Sequence, residues 1–130
     1  MLEAIAARLN SASIAISASN MFIGVMPSTP DRCVAIYEYA GAQPLEVLVS
    51  NTATLERPSI QIMTRGARND YPSARSLMVS IRDNLTQVTN QALSGVNFLR
   101  ISQISSINAL GVDENERPRF TLSLQAVLER

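Results

Sequence analysis

Hydrophobic and polar positions alternate most cleanly at the C-terminal end of the chain. Phe120, Leu122, Leu124, Ala126 and Leu128 alternate with Arg119, Thr121, Ser123, Gln125, Val127 and Glu129. A period of two with one apolar set belongs to a sheet strand with one buried and one mostly wetter face. Further upstream the period changes. Ala74, Leu77, Met78, Ile81, Leu85 and Val88 recur at helical spacing and form one apolar stripe, which predicts a long amphipathic helix from about Pro72 to Thr89. Arg75, Arg82 and Asp83 fall largely off the stripe. Asp70 reads as the N-cap of this helix, and Pro72 is tolerated in the first turn, where its missing N–H loses no helical bond.

The remaining pattern is shorter-ranged. Leu2, Ile5, Ala6 and Leu9 predict a short N-terminal helix. The Ser/Ala-rich stretch Asn10–Asn20 reads either as a linker or as a short extended piece. Met21–Met26 reads as a strand, Pro27 to Asp31 as a turn, and Cys33–Tyr39 as the second strand of a hairpin ended by Gly41 and Pro44. Leu45–Val49 is a further short strand or irregular segment. Ser59–Thr64 is a strand with Ile60 and Ile62 on one face and Gln61 and Met63 on the other. Gly66–Asp70 is the turn that follows, and Asn90–Gly95 ends the long helix. Val96–Ile104 and Arg119–Leu128 are the last two strands, joined by a charged loop, Gly111–Pro118. This order predicts an α+β fold: a mixed or antiparallel β-sheet with the long amphipathic helix and the short N-terminal helix packed on it.

Composition narrows the classes. The chain has 130 residues, which predicts a single domain over 1–130. At 46% hydrophobic residues and a mean hydropathy of +0.09, it can build a core. No apolar run approaches the roughly 20 residues that span a bilayer, and Leu2–Leu9 does not read as a signal peptide, so no membrane partner is expected. Eleven basic residues balance eleven acidic ones, unlike the basic excess of a protein that grips nucleic acid. All the basic residues are Arg.

The missing chemistry is as informative. Without His there is no Ser-His-Asp or Cys-His arrangement, and without Lys no P-loop or Schiff base. Cys33 is the only cysteine, so neither an internal disulfide nor a zinc cluster is available. Asp113, Glu114 and Glu116 form one acidic cluster, which reads as a solvated hairpin loop rather than a metal site. Arg65 and Arg68 sit before a helix N-terminus, where they suit either phosphate binding or, the preferred reading, pairing with Asp70 or an interface. No catalytic residue, metal or cofactor is expected.

Two segments together carry a resemblance. The first is Met26-Pro27-Ser-Thr-Pro30-Asp31-Arg-Cys-Val34-Ala-Ile36-Tyr37-Glu38-Tyr39-Ala-Gly41. The second runs from Pro58-x-Ile60-x-Ile62-x-x-Arg65 through Tyr71, Ala74 and the amphipathic helix, and ends with Leu110-Gly111-x-Asp113-Glu114-x-x-Arg117 before the last strand. In this order and spacing, over about Met21 to Leu128, the chain resembles the tail-terminator or neck proteins of long-tailed bacteriophages, also described as minor capsid proteins. It departs from them in the Ser/Ala-rich segment before Met21 and in having no Lys.

The resemblance implies a structural virion protein, made in the host cytoplasm, that forms a ring, usually of six copies. The ring caps the tail tube, stops its polymerisation and presents a docking surface for the head. The implied partners are other copies of the chain, the tail tube protein and a head-side connector or stopper protein. DNA passes through the lumen without sequence-specific binding. Chain length sets a lower bound on copy number: a compact chain of this size is about 36 Å across, and rings of such spheres leave holes of roughly 15 Å for four, 25 Å for five and 36 Å for six. A duplex therefore needs at least about five copies on this sphere estimate. The candidate contact elements are the loops leaving the sheet, with Asp31, Arg32, Arg65, Arg68, Asp113, Glu114, Glu116, Arg117 and Arg119 as candidate contacts; the Gly111–Arg119 loop ranks first because it carries both charge signs. The alternatives are another neck component, such as a head-completion or stopper protein, and a small non-catalytic ligand-binding or regulatory α+β domain.

Overall fold

A computed structural model describes residues 1–14, 20–46 and 54–129. Along the chain the elements are α1 (Leu2–Ser11), β1 (Met21–Ile23), β2 (Cys33–Glu46), β3 (Thr54–Arg65), α2 (Tyr71–Leu85), β4 (Thr89–Leu93), β5 (Val96–Gln103), β6 (Asn108–Val112) and β7 (Pro118–Glu129). The seven strands form one sheet in the order β1-β2-β3-β7-β5-β4, and β6 pairs with β7 beside that path. All pairings are antiparallel except β1 with β2, so the sheet is mixed and the fold is α+β.

The period-two pattern of β7 has the consequence it predicts. Phe120, Leu122, Leu124, Ala126 and Leu128 are all buried. Their face continues across the sheet by register: Ile36 lies opposite Ile62, and Ile62 opposite Leu122. This face meets Ile5 and Leu9 of α1 and Leu77, Met78 and Ile81 of α2 in one continuous core. Each large aliphatic side chain contributes about 1.5–3 kcal/mol when fully buried, so this layer is the main source of stability.

Helix α2 starts where its chemistry dictates. Asp70 accepts from the Ser73 N–H at 3.3 Å, and Pro72 sits in the first turn. The helix ends at Leu85, short of the stretch up to Thr89 that its stripe suggests. The last stripe residue, Val88, is buried beyond the helix, and β-branched Val88-Thr89 leads into a strand. Arg8 of α1 closes this end: its guanidinium donates to the Asn84 carbonyl at 3.2 Å and to Asn84 Oδ1 at 2.9 Å, where the helix leaves carbonyls unpaired.

Several boundaries differ from the sequence reading. Met21–Met26 yields a strand only as far as Ile23, and it runs parallel to β2, so the two do not form a hairpin. A parallel pair needs a crossover, which residues 24–32 supply. Gly41 and Pro44 do not end β2; they fall where its register against β3 shifts, and the strand reaches Glu46. The proposed element at Leu45–Val49 lies partly outside the described residues, as does the Asn10–Asn20 linker. Asn90–Gly95 is not a helix end but β4 and its turn: Ser94 and Gly95 both have positive φ, the two-residue turn that joins β4 to β5. The charged loop is shorter than Gly111–Pro118, because Gly111 and Val112 belong to β6.

Candidate functional site

Three loops leave the same end of the sheet: residues 24–32, Gly66–Asp70, and Asp113–Arg117. Register brings them together, because Cys33 lies opposite Arg65, Arg65 opposite Arg119, and Arg119 opposite Gly111. The backbones then touch directly. The Gly66 N–H donates to the Pro118 carbonyl at 2.9 Å, and the Asn69 N–H to the Glu116 carbonyl at 3.0 Å. Gly66 is required for this approach, since a Cβ there would stand 2.7 Å from the Asp70 carbonyl and 3.0 Å from the Ala74 Cβ.

Two buried arginines fix the cluster. Arg65, only 4% exposed, donates to three carbonyls of the first loop: Pro27 at 2.7 Å, Pro30 at 2.7 Å and Asp31 at 2.9 Å. Arg117, 5% exposed, bonds to Asp113 Oδ2 at 2.8 Å, the Ser28 carbonyl at 2.6 Å and Asp31 Oδ1 at 3.2 Å. A planar fork of donors suits this task, holding several acceptors at fixed angles. Neither Arg65 nor Arg68 pairs with Asp70, which caps α2 instead; Arg68 pairs with Glu116, and the two buried arginines do not present their guanidinium groups freely to a partner.

Asp113 organises the third loop. Its Oδ1 accepts from the backbone N–H of Asn115 at 2.9 Å and of Arg117 at 3.0 Å, while Glu116 takes a positive φ of 60° to close the turn. Burial pushes the Asp113 carboxyl up, but the two N–H groups and the Arg117 guanidinium together outweigh it and hold the carboxyl below its ordinary value. On the sheet beneath, burial pushes the Cys33 thiol up, against the opposing pull of Arg65 and Arg117. That thiol is fully buried.

The outward-facing groups differ. Asp31, Arg68, Glu114, Asn115, Glu116 and Arg117 line an open crevice of about 230 Å³. Arg68 and Glu116 form an exposed ion pair across it at 2.9 Å. Glu114 is exposed and makes no ion pair among the described residues. Arg32 is exposed and, among the described residues, donates only to Ser73 Oγ, at 3.0 Å. Arg119 lies directly across from Arg65, and its Nε is buried with no hydrogen-bond partner among the described residues. The nine sequence candidates thus gather at one end of the sheet, split into latches (Arg65, Asp113, Arg117) and outward groups. No group of three or more His, Cys, Asp or Glu side chains is placed to hold a metal ion among the described residues. No helix among them is long and apolar enough to cross a membrane.

The sequence reading missed Gly66, whose close contacts with the Asp70 carbonyl and the Ala74 Cβ exist only once the turn has folded onto α2, and the fixing role of the Pro27–Asp31 carbonyls, which no side-chain pattern encodes. The signal that was available is Asp113 four residues before Arg117, the spacing of a side chain that closes its own turn.

No curated protein matches the chain. Among solved structures, a chain of the virion of a native gene transfer agent (GTA) particle superposes with a TM-score of 0.71 over 100% of this chain and 95% of that one, at 15% identity, which establishes a shared fold. The family model for bacteriophage tail terminator proteins matches residues 8–130. The chain belongs to the bacteriophage tail terminator family and is a structural protein of the phage tail.

Proposed function

We propose that the chain assembles into a ring at the head-proximal end of the tail tube, of at least about five copies on the sphere-packing estimate and of six as the family resemblance implies. The ring ends tube growth and presents the surface on which the head docks. Tube subunits add head to tail, and such a heterologous interface continues until an unlike subunit occupies the end. The ring offers one face that matches the tube and no second face that another tube ring accepts. No catalysis is involved. Assembly takes place in the host cytoplasm, and DNA passes through a lumen whose near-neutral chain does not retain it by its phosphates.

The observation that carries this reading is the loop cluster in a chain of this family. A docking surface gains from being fixed in advance, because ordering side chains and loops at an interface costs about 0.5–1.5 kcal/mol for each flexible side chain. Arg65, Arg117 and Asp113 hold the loops, so Asp31, Arg68, Glu114 and Glu116 meet a partner already positioned. Arg32 and Arg119 extend the same surface.

The test is complementation of a phage lacking the gene with Arg68→Gln and Glu116→Gln combined, followed by electron microscopy of the lysate. Both positions are exposed, so folding is retained. Overlong or headless tails are the expected outcome. Tails of normal length joined to heads would remove this crevice as the contact.

A further inference from the structure

We propose that neighbouring copies join edge to edge, the β6 edge of one copy pairing with the β1 edge of the next, so that the sheets form one continuous band around the ring. This rests on the ring reading above and names the surface that closes it. Three strands, β1, β4 and β6, have an edge that no described strand pairs. They are not equivalent. On β4, Thr89, Asn90, Gln91 and Ala92 are exposed, a polar edge with little to bury. All five residues of β6 are exposed, and they include Leu110 and Val112, the latter 58% exposed. At β1, Ile23 is exposed, and Val25 just beyond it is 57% exposed. An exposed apolar edge strand is a template for pairing with another chain, and proteins that do not use one blunt it.

The two edges fit each other in direction and overlap in level at Met21 and Ala109. Met21 lies opposite Val34, Val34 opposite Thr64, Thr64 opposite Phe120, and Phe120 opposite Ala109. The edges of β1 and β6 therefore sit at the same level, on opposite sides of a five-strand row. Following the pairings across that row, β1 and β6 run in opposite directions, so a laterally placed copy brings them together antiparallel. On β1, the Asn20 carbonyl and the Gly24 N–H both bond towards β2, which leaves the backbone groups of Met21 and Ile23 pointing outwards.

Charge complements this fit. Among the described residues, Glu114, in the turn that follows β6, has no ion-pair partner, and Arg32, beside the start of β2, contacts only a hydroxyl. In the paired band β6 and the next copy's β2 are two strand spacings apart, about 10 Å, within reach of a Glu and an Arg side chain extended towards each other. A two-fold contact of β6 with β6 has neither property. It sets the two Glu114 side chains at opposite ends, away from Arg32, and leaves the β1 edge unpaired. Only the heterologous contact uses both edges, and it is the kind that closes into a ring.

The experiment is native mass spectrometry of the full chain, alone and bound to purified tail tubes, for the wild type, Val112→Lys, Glu114→Arg, Arg32→Glu and the double charge swap, with thermal melts of each. Val112, Glu114 and Arg32 are exposed, so unchanged melting is expected. The ring species should be lost in Val112→Lys, weakened in each single swap and restored in the double swap. Rings in Val112→Lys at the wild-type level would overturn the proposal, as would failure of the double swap to restore them, or a wild-type species no larger than a dimer that Val112→Lys abolishes. A wild type that forms no ring even on tubes would instead remove the ring reading on which the proposal rests.

Discussion

The helix-covered face of the sheet and its loop end are held together by different physics. Ile36, Ile62, Leu122 and Ile81 meet by shape and by removal from water, and each is fully buried. Such packing is non-directional and tolerates exchange of one aliphatic for another of similar volume. The loop end has almost no apolar residue to bury. It is held by Arg65 on three carbonyls and by Arg117 on Asp113, Asp31 and Ser28. These bonds are directional, so they fix where each loop lies. The core makes the domain stable, and the arginine latches make one end of it a defined surface.

The largest effect should come from the core. Ile81→Ala should cost about 2–5 kcal/mol, read from denaturant melts, because the cavity cannot fully collapse between α2 and the sheet. A change within about half a kcal/mol would mean that the stripe is not core. Arg65→Met keeps the apolar stem and removes the fork. It should cost about 1.5–3 kcal/mol, because three carbonyls lose a charged donor. It should also raise protease cleavage between Pro27 and Asp31 while α2 stays protected in hydrogen exchange. Equal loss of protection in both regions would erase the distinction between them.

Asp113 sharpens the comparison through pH. Its carboxyl is held below the ordinary value of 3.8, so it contributes stability that is present above that pH and lost as pH falls through the depressed folded value. Asp113→Asn should flatten the acid limb of stability measured below about pH 4 and leave the slope near neutrality unchanged. The smallest effect belongs to Cys33→Ala. The buried thiol has no catalytic partner, so the change should cost about 1 kcal/mol and leave phage titre unaltered. Loss of infectivity without loss of folding would reveal a role for that sulfur.

The same division explains what could be read from the sequence. Periodicity reports burial, so α1, α2, β7 and the inner face of β3 were legible from Leu9, Ile81, Phe120 and Ile62. Strand partners are set by distant segments, so Met21–Ile23 looked like half of a hairpin and turned out parallel to β2. β4 and β6 were hidden because edge strands lack a buried face, although Ser94-Gly95 carried a hairpin signal. At the site, charge and loop position brought forward residues that the fold gathers at one end of the sheet. Their division into latches and outward groups was not legible, because a buried Arg and an exposed one are the same letter until its acceptors, here backbone carbonyls, are in place.

The most direct test of the central claim is electron microscopy of tail tubes growing from purified tube protein with and without this chain. The account predicts a ring of density at one end of each tube, no further elongation at that end, and no density along the tube walls. Tubes that continue to lengthen at the same rate with the protein present, or that bind it along their sides, would contradict it.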